Sequence, residues 1–179
     1  MVMMNILITG QPGVGKTTLL NKIKNRIEDM GYSTGGMYSP EIREEGKRTG
    51  FNIIDIASLQ KGVLASTHNT EGPIVGKYRV NLDDIKDIGV LALKNALKTS
   101  DYIFIDEIAP MELASSSFSQ TVWEVMESQK TVIAVIHQRS KHPFILKVKN
   151  REDAMIFNIN LKNRDSITDE ILQIIASME

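Results

Sequence analysis

A glycine-rich segment at residues 10–17 constrains this chain more than any other feature. Its sequence, GQPGVGKT, fits the pattern G-x-x-x-x-G-K-[ST] and directly follows an apolar run at residues 4–9. A strand would therefore lead into a glycine-rich turn that opens a helix. Such a turn directs successive backbone N–H groups at a phosphate, and the positive end of the helix adds to the attraction. The motif predicts binding of a nucleoside triphosphate.

Individual residues of this loop have distinct expected roles. Lys16 would reach the β- and γ-phosphates, and Thr17 would place its hydroxyl on Mg²⁺. The alternative is a glycine-rich turn with an incidental lysine, which does not explain why the match follows the first strand. The residues expected to contact the nucleotide here are Gly10, Gln11, Pro12, Gly13, Val14, Gly15, Lys16, Thr17 and Thr18.

Size and charge limit the class of protein. With 179 residues the chain is expected to form one domain over residues 1–179. Its 21 basic and 22 acidic side chains give a net charge of −1, so no overall field recruits nucleic acid or an anionic membrane. No apolar stretch is long enough to span a membrane. The lack of cysteine excludes disulfides and thiolate chemistry, and the cytoplasm is the expected compartment.

The periodicity of apolar residues predicts an α/β fold. A helix follows Thr17, with apolar positions as far as Met30 and a stop at Gly31. Residues 32–80 predict a β-rich excursion that projects from or extends the main sheet. Its β-like pieces are residues 34–39, 50–57, 63–66 and 74–80.

From residue 81 onward, predicted strands alternate with predicted helices. Asn81 is expected to cap a helix with apolar positions at Ile85, Ile88, Leu91, Ala92 and Leu97. Ser117 begins a capping-box pattern for a helix that ends near residue 128. The remaining elements are strands at 102–105, 131–136 and 154–160, and helices from 143 and at 166–178. The alternation predicts a mostly parallel sheet with right-handed crossovers, and ligands bind at the carboxyl ends of such strands.

Two acidic residues end one of these strands. Mg²⁺ beside a triphosphate takes hard oxygen ligands and keeps several waters, so Asp106 together with Thr17 would suffice. Glu107 would orient or deprotonate the attacking water. Without the upstream loop, both acids would be read as solvated or as capping the next turn. The whole segment is expected to border the nucleotide: Tyr102, Ile103, Phe104, Ile105, Asp106, Glu107, Ile108 and Ala109.

Arg139 is the first candidate for a cation at the γ-phosphate. It follows the strand at 131–136, and an arginine there could stabilise the charge of the transition state. A solvated loop arginine is the alternative. His137 lies nearer the strand end, where a hydrogen-bonded structural histidine is the favoured interpretation.

Further candidates lie at both ends of the chain. Arg43, Arg48 and Lys77 belong to the β-rich segment and could fold over the triphosphate, or could simply mark a charged hairpin tip. Asn163 and Arg164 could contact the base or ribose, although a plain helix N-cap at Asp165 or Ser166 is the favoured interpretation of this segment.

Absent motifs narrow the class further. There is no [NT]-K-x-D motif for guanine, and the residues after Asp106 do not fit D-x-x-G. Both absences argue against assignment of this chain to the signalling GTPases. No L-S-G-G-Q-like stretch or arginine-rich lid is evident. Hydrolysis of a triphosphate is the leading hypothesis. The alternatives are a kinase acting on a nucleoside, a nucleotide or a nucleic-acid end, and a nucleotide-gated binding module.

Several segments together resemble the THEP-type nucleoside-triphosphatases nearly end to end. Besides the loop they are residues 35–38, 41–43, 47–51, 72–78, 105–113, 136–140, 142–143 and 163–165. The resemblance implies a RecA-like P-loop core and slow, Mg²⁺-dependent hydrolysis of ATP, GTP and other triphosphates. It also strengthens the roles of Arg43, Arg48, Lys77 and Arg139. The chain departs from the family at Ala109, usually Gly.

Partners beyond the substrate are weakly indicated. No base-reading motif is present, which predicts loose discrimination among nucleotides. A modest basic cluster that includes Lys147 and Lys149 suits nucleic acid or a solvated face equally. The sequence carries no indication of oligomeric state.

Overall fold

A ten-stranded mixed sheet with helices on both faces forms the part of the chain that the computed structural model describes, residues 4–178. The strands are β1 (Asn5–Gly10), β2 (Thr34–Tyr38), β3 (Glu41–Glu44), β4 (Lys47–Asp55), β5 (Lys61–Ser66), β6 (Ile74–Val75), β7 (Tyr78–Val80), β8 (Tyr102–Ile108), β9 (Thr131–Ile136) and β10 (Ala154–Ile159). The helices are α1 (Lys16–Asp29), α2 (Leu82–Asp84), α3 (Leu91–Thr99), α4 (Ser116–Met126), α5 (Pro143–Lys149) and α6 (Ile167–Ser177). A π-helical segment joins α2 to α3, and a 3₁₀ turn precedes α4.

The strand order divides the sheet into a parallel half and an antiparallel half. The order is β10-β1-β9-β8-β2-β4-β5-β7-β6, with β3 paired to β4. Neighbours from β10 to β2 are parallel, and all pairings from β2 onward are antiparallel. The predicted β-rich excursion therefore extends the main sheet and does not project from it. Only β3 was not expected, because its charged sequence lacks a β-like apolar pattern.

Alternating strand residues supply two hydrophobic cores, one on each face of the sheet. On one face Ile6 and Ile8 pack with the apolar side of α1 and α6. On the other face Leu7 and its neighbours pack with α3, α4 and α5. Because both faces are covered, the central strands are mostly apolar on both sides, as is typical of a buried parallel sheet. No helix within residues 4–178 is long and apolar enough to cross a bilayer.

Two predicted apolar positions turn out to be exposed. Leu91 is 50% exposed because the π-helical turn at Ile85–Val90 inserts an extra residue and rotates the apolar face, which then uses Leu93. Met30 is 55% exposed because α1 ends at Asp29, before the residue could reach the buried face.

Of two N-cap residues predicted from the sequence, the structure has one at the predicted position and one at a different position. The side chain of Asn81 accepts a hydrogen bond from the N–H of Asp84, as its predicted capping role requires. The capping box at Ser117 was wrong, because Ser115 caps α4 by accepting from the N–H of Phe118. Residues 115–117 are all serine, and each of them is a suitable N-cap residue. The sequence alone therefore could not identify which serine caps the helix.

Candidate functional site

The loop between β1 and α1 has the backbone that the glycine-rich motif requires. Gly13 and Gly15 have φ angles of 76° and 108°, a left-handed conformation that side chains with a Cβ disfavour. Lys16 folds back over this loop, and its Nζ donates to the carbonyl oxygens of Gly10 at 2.8 Å and Gln11 at 2.9 Å. The ammonium group therefore lies at the loop, beside the N-terminus of α1, where an anion would be bound.

A short hydrogen bond joins this loop to the distant strand β8. The hydroxyl of Thr17 donates to Oδ2 of Asp106 at 2.7 Å, between residues 89 apart in sequence. Asp106 is only 7% exposed. Burial raises the pKa of its carboxyl, while the Thr17 hydrogen bond and the charge of Lys16 act in the opposite direction. A carboxylate and a hydroxyl thus meet at one point, and both are hard oxygen ligands.

Strand β8 does not end at residue 105, as the sequence suggested, but continues through Ile108. Its pairing with β9 is irregular: Asp106 lies opposite Val135 and Ile108 lies opposite the next residue, Ile136. Glu107 is therefore the extra residue of a β-bulge. Regular alternation would send Asp106 and Glu107 to opposite faces. With the bulge, both line the same cavity.

The cavity at this edge of the sheet has a volume of about 770 Å³. Its walls come from the glycine-rich loop, the carboxyl ends of β8 and β9, the residue after β2, and the β-rich extension. The predicted site residues that line it are Gly10, Gln11, Pro12, Gly13, Lys16, Thr17, Arg48, Asp106, Glu107, Ala109 and Arg139. Two regions distant in sequence therefore contribute one arginine each.

The two cavity arginines differ in their partners. Arg48 is held by an ion pair with Glu41 at 2.9 Å, a hydrogen bond to the Tyr78 hydroxyl at 3.0 Å, and the ring of Phe51. Arg139 makes no hydrogen bond or ion pair with any residue in the range 4–178. Arg139 is therefore the arginine that is free to meet an anion in the cavity.

The other predicted cations and polar residues lie outside the cavity. Arg43 pairs with Glu41 at 2.8 Å near the tip of the β3–β4 hairpin, and Lys77 donates to the carbonyl of Arg48. The side chain of Asn163 accepts from the N–H of Asn160 and donates to the carbonyl oxygen of Asn158 near the end of β10, and Arg164 is exposed in the loop that follows. Nucleotide contacts for these four residues stay predictions.

Several apolar residues of the predicted set belong to the cores. Tyr102, Ile103, Phe104, Ile105 and Ile108 are buried in β8, and Val14 is buried beside the loop. Thr18 is exposed on α1, and Gly15 shapes the loop backbone. The buried residues pack beneath the cavity. Direct contact of any residue of this set with a nucleotide stays a prediction.

One buried acid escaped the sequence analysis. Glu112 lies in the 3₁₀ turn after β8, is 2% exposed and lines the cavity. Oε1 of Glu112 accepts a hydrogen bond from the Ser39 hydroxyl at 3.2 Å. The same hydroxyl also donates to the backbone oxygen of Asp106 at 2.8 Å. Oε2 of Glu112 has no hydrogen-bond partner within residues 4–178. The available signal was a lone acid between Met111 and Leu113, where a solvated glutamate is not expected.

Crowding of these carboxyl groups changes their proton affinity. Burial raises the pKa of Glu107 to about 7, with a further increase from the charge of Asp106 and an opposing effect from Lys16. Burial, followed by the charge of Glu107, raises the pKa of Glu112 well above its ordinary value. The site therefore holds a carboxyl that can exchange a proton near neutral pH.

Comparison with known sequences gives one family. A family model described as NTPase matches residues 5–172. A protein named nucleoside-triphosphatase THEP1 from Thermotoga sp. strain RQ2 is 46% identical over 172 residues, which cover 96% of this chain and 95% of that protein. The protein of the same name from Methanothermobacter thermautotrophicus is 41% identical over 173 residues, or 97% of each chain.

Two solved structures share the architecture. The crystal structure of THEP1 from Aquifex aeolicus has a TM-score of 0.84 and 34% identity, covering 96% of this chain and 98% of that one. The solution structure of a human cancer-related nucleoside triphosphatase has a TM-score of 0.82 and 30% identity, covering 98% and 99%. The predicted α/β P-loop fold and the resemblance noted in the sequence are confirmed.

The raised pKa values predict how the stability of the ligand-free protein depends on pH. Since the folded-state pKa of Glu107 and Glu112 exceeds the unfolded value of 4.5, the folded protein binds more protons from about pH 4.5 to 7. The stability that these groups contribute is complete below that range and is lost as the pH rises through it. We expect Glu112→Gln to flatten this loss in thermal unfolding between pH 5 and 8.

The control for this measurement is Glu124→Gln, at an exposed position of α4. Its unfolding profile should follow that of the unmodified protein. If the difference in melting temperature between the Glu112→Gln variant and the unmodified protein stayed constant across this pH range, the protonated state of Glu112 would be contradicted.

Proposed function

The chain belongs to the NTPase family and is a nucleoside-triphosphatase, and from this premise we propose Mg²⁺-dependent hydrolysis of ATP, GTP and other nucleoside triphosphates to the diphosphate and phosphate. One observation carries the proposal: Thr17 and Asp106 meet at 2.7 Å beside Lys16, and Glu107 lines the same cavity. Phosphoryl transfer depends chiefly on positioning and charge, and these four residues supply both.

Binding of the triphosphate falls to the loop and Lys16. Backbone N–H groups at the start of α1 point toward a bound anion, and the helix dipole favours negative charge there. The ammonium group of Lys16 now contacts the carbonyl oxygens of Gly10 and Gln11. We propose that it exchanges these for phosphate oxygens of the substrate, which carry more negative charge and so bind it more strongly.

Thr17 and Asp106 would hold the Mg²⁺ ion. Their oxygens already lie at hydrogen-bond distance, and one hydroxyl with one carboxylate is the protein share that this ion commonly takes. Bound Mg²⁺ would offset the charge of the β- and γ-phosphate oxygens. The Ser39 hydroxyl, which donates to the backbone oxygen of Asp106, would help to fix the strand end that carries the carboxylate.

Glu107 and Arg139 would act on the reacting groups. The Glu107 carboxylate would take a proton from the attacking water, and a pKa near 7 suits a base that works at neutral pH. Arg139, which lines the cavity without a partner among residues 4–178, would stabilise charge on the γ-phosphate. Supply of this arginine by the chain itself argues against a module that depends on a partner's arginine.

A second candidate, transfer to an acceptor hydroxyl, has one observation in its favour. The cavity continues past β8 along the β-rich extension, where Phe51, Leu64, Val75 and Met111 give it an apolar wall. An acceptor bound there would replace water as the partner of Glu107. Product analysis separates the two reactions, because hydrolysis releases one phosphate for each diphosphate formed.

The role of Glu107 can be tested by substitution. Glu107→Gln removes the base while keeping the size and shape of the side chain. We expect phosphate release from ATP to fall by about a hundredfold or more, with nucleotide binding retained. The same change at exposed Glu124 should leave turnover unaltered. A Glu107→Gln protein with ordinary turnover would rule out this residue as the base.

The role of Asp106 predicts a shift in metal dependence. Asp106→Asn should raise the Mg²⁺ concentration that gives half-maximal phosphate release by about tenfold or more, because an amide oxygen replaces a charged ligand. Asp87→Asn, at an exposed position, serves as the matched control. Identical Mg²⁺ curves for the two variants would contradict the assignment.

Loose base selectivity predicts similar rates with different nucleotides. We expect kcat/KM for ATP, GTP, CTP and UTP to lie within about a hundredfold of one another, because larger discrimination needs a pocket that hydrogen-bonds the base. Steady-state phosphate release with each nucleotide measures it. A stronger preference for one base would reveal such a pocket.

A further inference from the structure

The backbone that carries Arg139 limits where its side chain can reach. Arg139 is exposed, lines the cavity and makes no hydrogen bond or ion pair within residues 4–178. No polar contact with a neighbouring side chain of this range therefore holds its guanidinium. Arg139 lies in the connection from β9 to α5, residues 137–142, so whatever holds this connection also sets where the guanidinium can reach.

Several hydrogen bonds of the connection are local. The N–H of Ser140 donates to Nδ1 of His137 at 3.1 Å, and the N–H of His142 donates to the Ser140 hydroxyl at 3.1 Å. Nδ1 of His142 then accepts from the N–H of Phe144 at 3.2 Å and caps α5. These bonds shape the turn, but they tie it only to residues two or three positions away.

Lys149 anchors the connection from a distance. Its Nζ, at the end of α5, donates to the carbonyl oxygens of His137 and Gln138, each at 2.8 Å. These are the two consecutive residues directly before Arg139, and they lie 12 and 11 positions from the lysine. Hydrogen bonds from a charged donor are shorter and stronger than neutral ones. Two other long-range bonds reach the connection: the N–H of His137 donates to the carbonyl oxygen of Ile108 at 3.1 Å, and the side chain of Gln138 donates to Asn158 at 3.2 Å. Neither of them has a charged donor.

We propose that Lys149 is a positioning residue for Arg139: by holding the two preceding carbonyl groups, it fixes the connection so that the guanidinium faces the γ-phosphate. This inference rests on the proposed role of Arg139. Lys149 is not itself among the residues that line the cavity. Its loss should therefore affect the transition state more than substrate binding, which depends on the loop and Lys16.

Helix α5 has other anchors, so a change at Lys149 leaves the helix seated. Ile145 and Val148 are buried in the core. Lys147, two residues before Lys149, points elsewhere and places its Nζ 3.6 Å from the centroid of the Trp123 ring. Trp123 is the only tryptophan of the chain, so its fluorescence reports on the seating of α5.

The experiment is a double-mutant cycle between Lys149 and Arg139. Lys149→Met keeps the aliphatic stem and removes the ammonium group, and Lys147→Met is the matched control on the same helix. Each change is made in the unmodified chain and with Arg139→Met. Initial rates of phosphate release from ATP at saturating Mg²⁺ give kcat and KM, and thermal unfolding with Trp123 fluorescence checks the structure.

We expect Lys149→Met to lower kcat by about tenfold and to change KM by less than about twofold, because displacement of a catalytic group by about 1 Å has effects of this order or larger. With Arg139→Met already present, the same change should lower kcat by less than about twofold, since coupled residues are not additive. Lys149→Arg, which also donates to two carbonyl groups, should restore most of the rate. Lys147→Met should change the fluorescence and leave kcat unaltered.

Each other outcome identifies what fails. If Lys149→Met lowers kcat equally with and without Arg139, or acts mainly on KM, the positioning role is wrong while the nucleoside-triphosphatase assignment stands. If Arg139→Met alone retains its rate, the proposed role of Arg139 is wrong and the inference fails with it. If Lys149→Met does not fold, Lys149→Gln takes its place in the same cycle, with the same criteria.

Discussion

The hydrogen bond between Thr17 and Asp106 depends on the register of the parallel strands, which brings their carboxyl ends to the same height in the sheet. Ile8 of β1 and Asp106 of β8 both lie opposite Val135 of the intervening strand β9, and Tyr38 of β2 lies opposite Asp106. The glycine-rich loop, the carboxylate and Ser39 consequently emerge at the same edge. A shift of one residue in any of these strands would turn its side chains to the other face. The apolar sequences of the central strands, buried on both faces, hold this register and with it the site.

Electrostatics at this edge are a balance between buried acids and one lysine. Loss of hydration raises the pKa of Asp106, Glu107 and Glu112. The charge of Asp106 raises the pKa of Glu107 further, and the charges of Glu107 and Asp106 do the same for Glu112. Lys16 offsets part of this, and the Ser39 hydroxyl serves both Asp106 and Glu112. Burial thus opposes ionisation at the place where charge is needed for chemistry. A bound divalent cation would be the largest local charge at this edge and would favour the ionised form of these carboxyl groups.

The sequence predicted most of what local patterns determine and little of what strand pairing determines. The loop at residues 10–17, the cap at Asn81 and the alternation of strands and helices each depend on residues within a few positions of one another. The bulge at Glu107 depends on how β8 pairs with β9, and the hydrogen bond of buried Glu112 comes from Ser39, which is 73 positions away. The roles in binding and catalysis are still predictions from the sequence, now with distances and partners that make them testable.

The bulge in β8 has a consequence for how this region can vary among related chains. Asp106 and Glu107 share the cavity only because β8 carries one residue more than the facing part of β9. The number of residues between Tyr102 and Ile108 is thus as important as their identity. Deletion of one apolar residue would leave the composition of the strand nearly intact and still turn one carboxylate toward the core. The tip of the β3–β4 hairpin is exposed and takes no part in the pairing of β8 with β9, so it can gain or lose residues without that penalty.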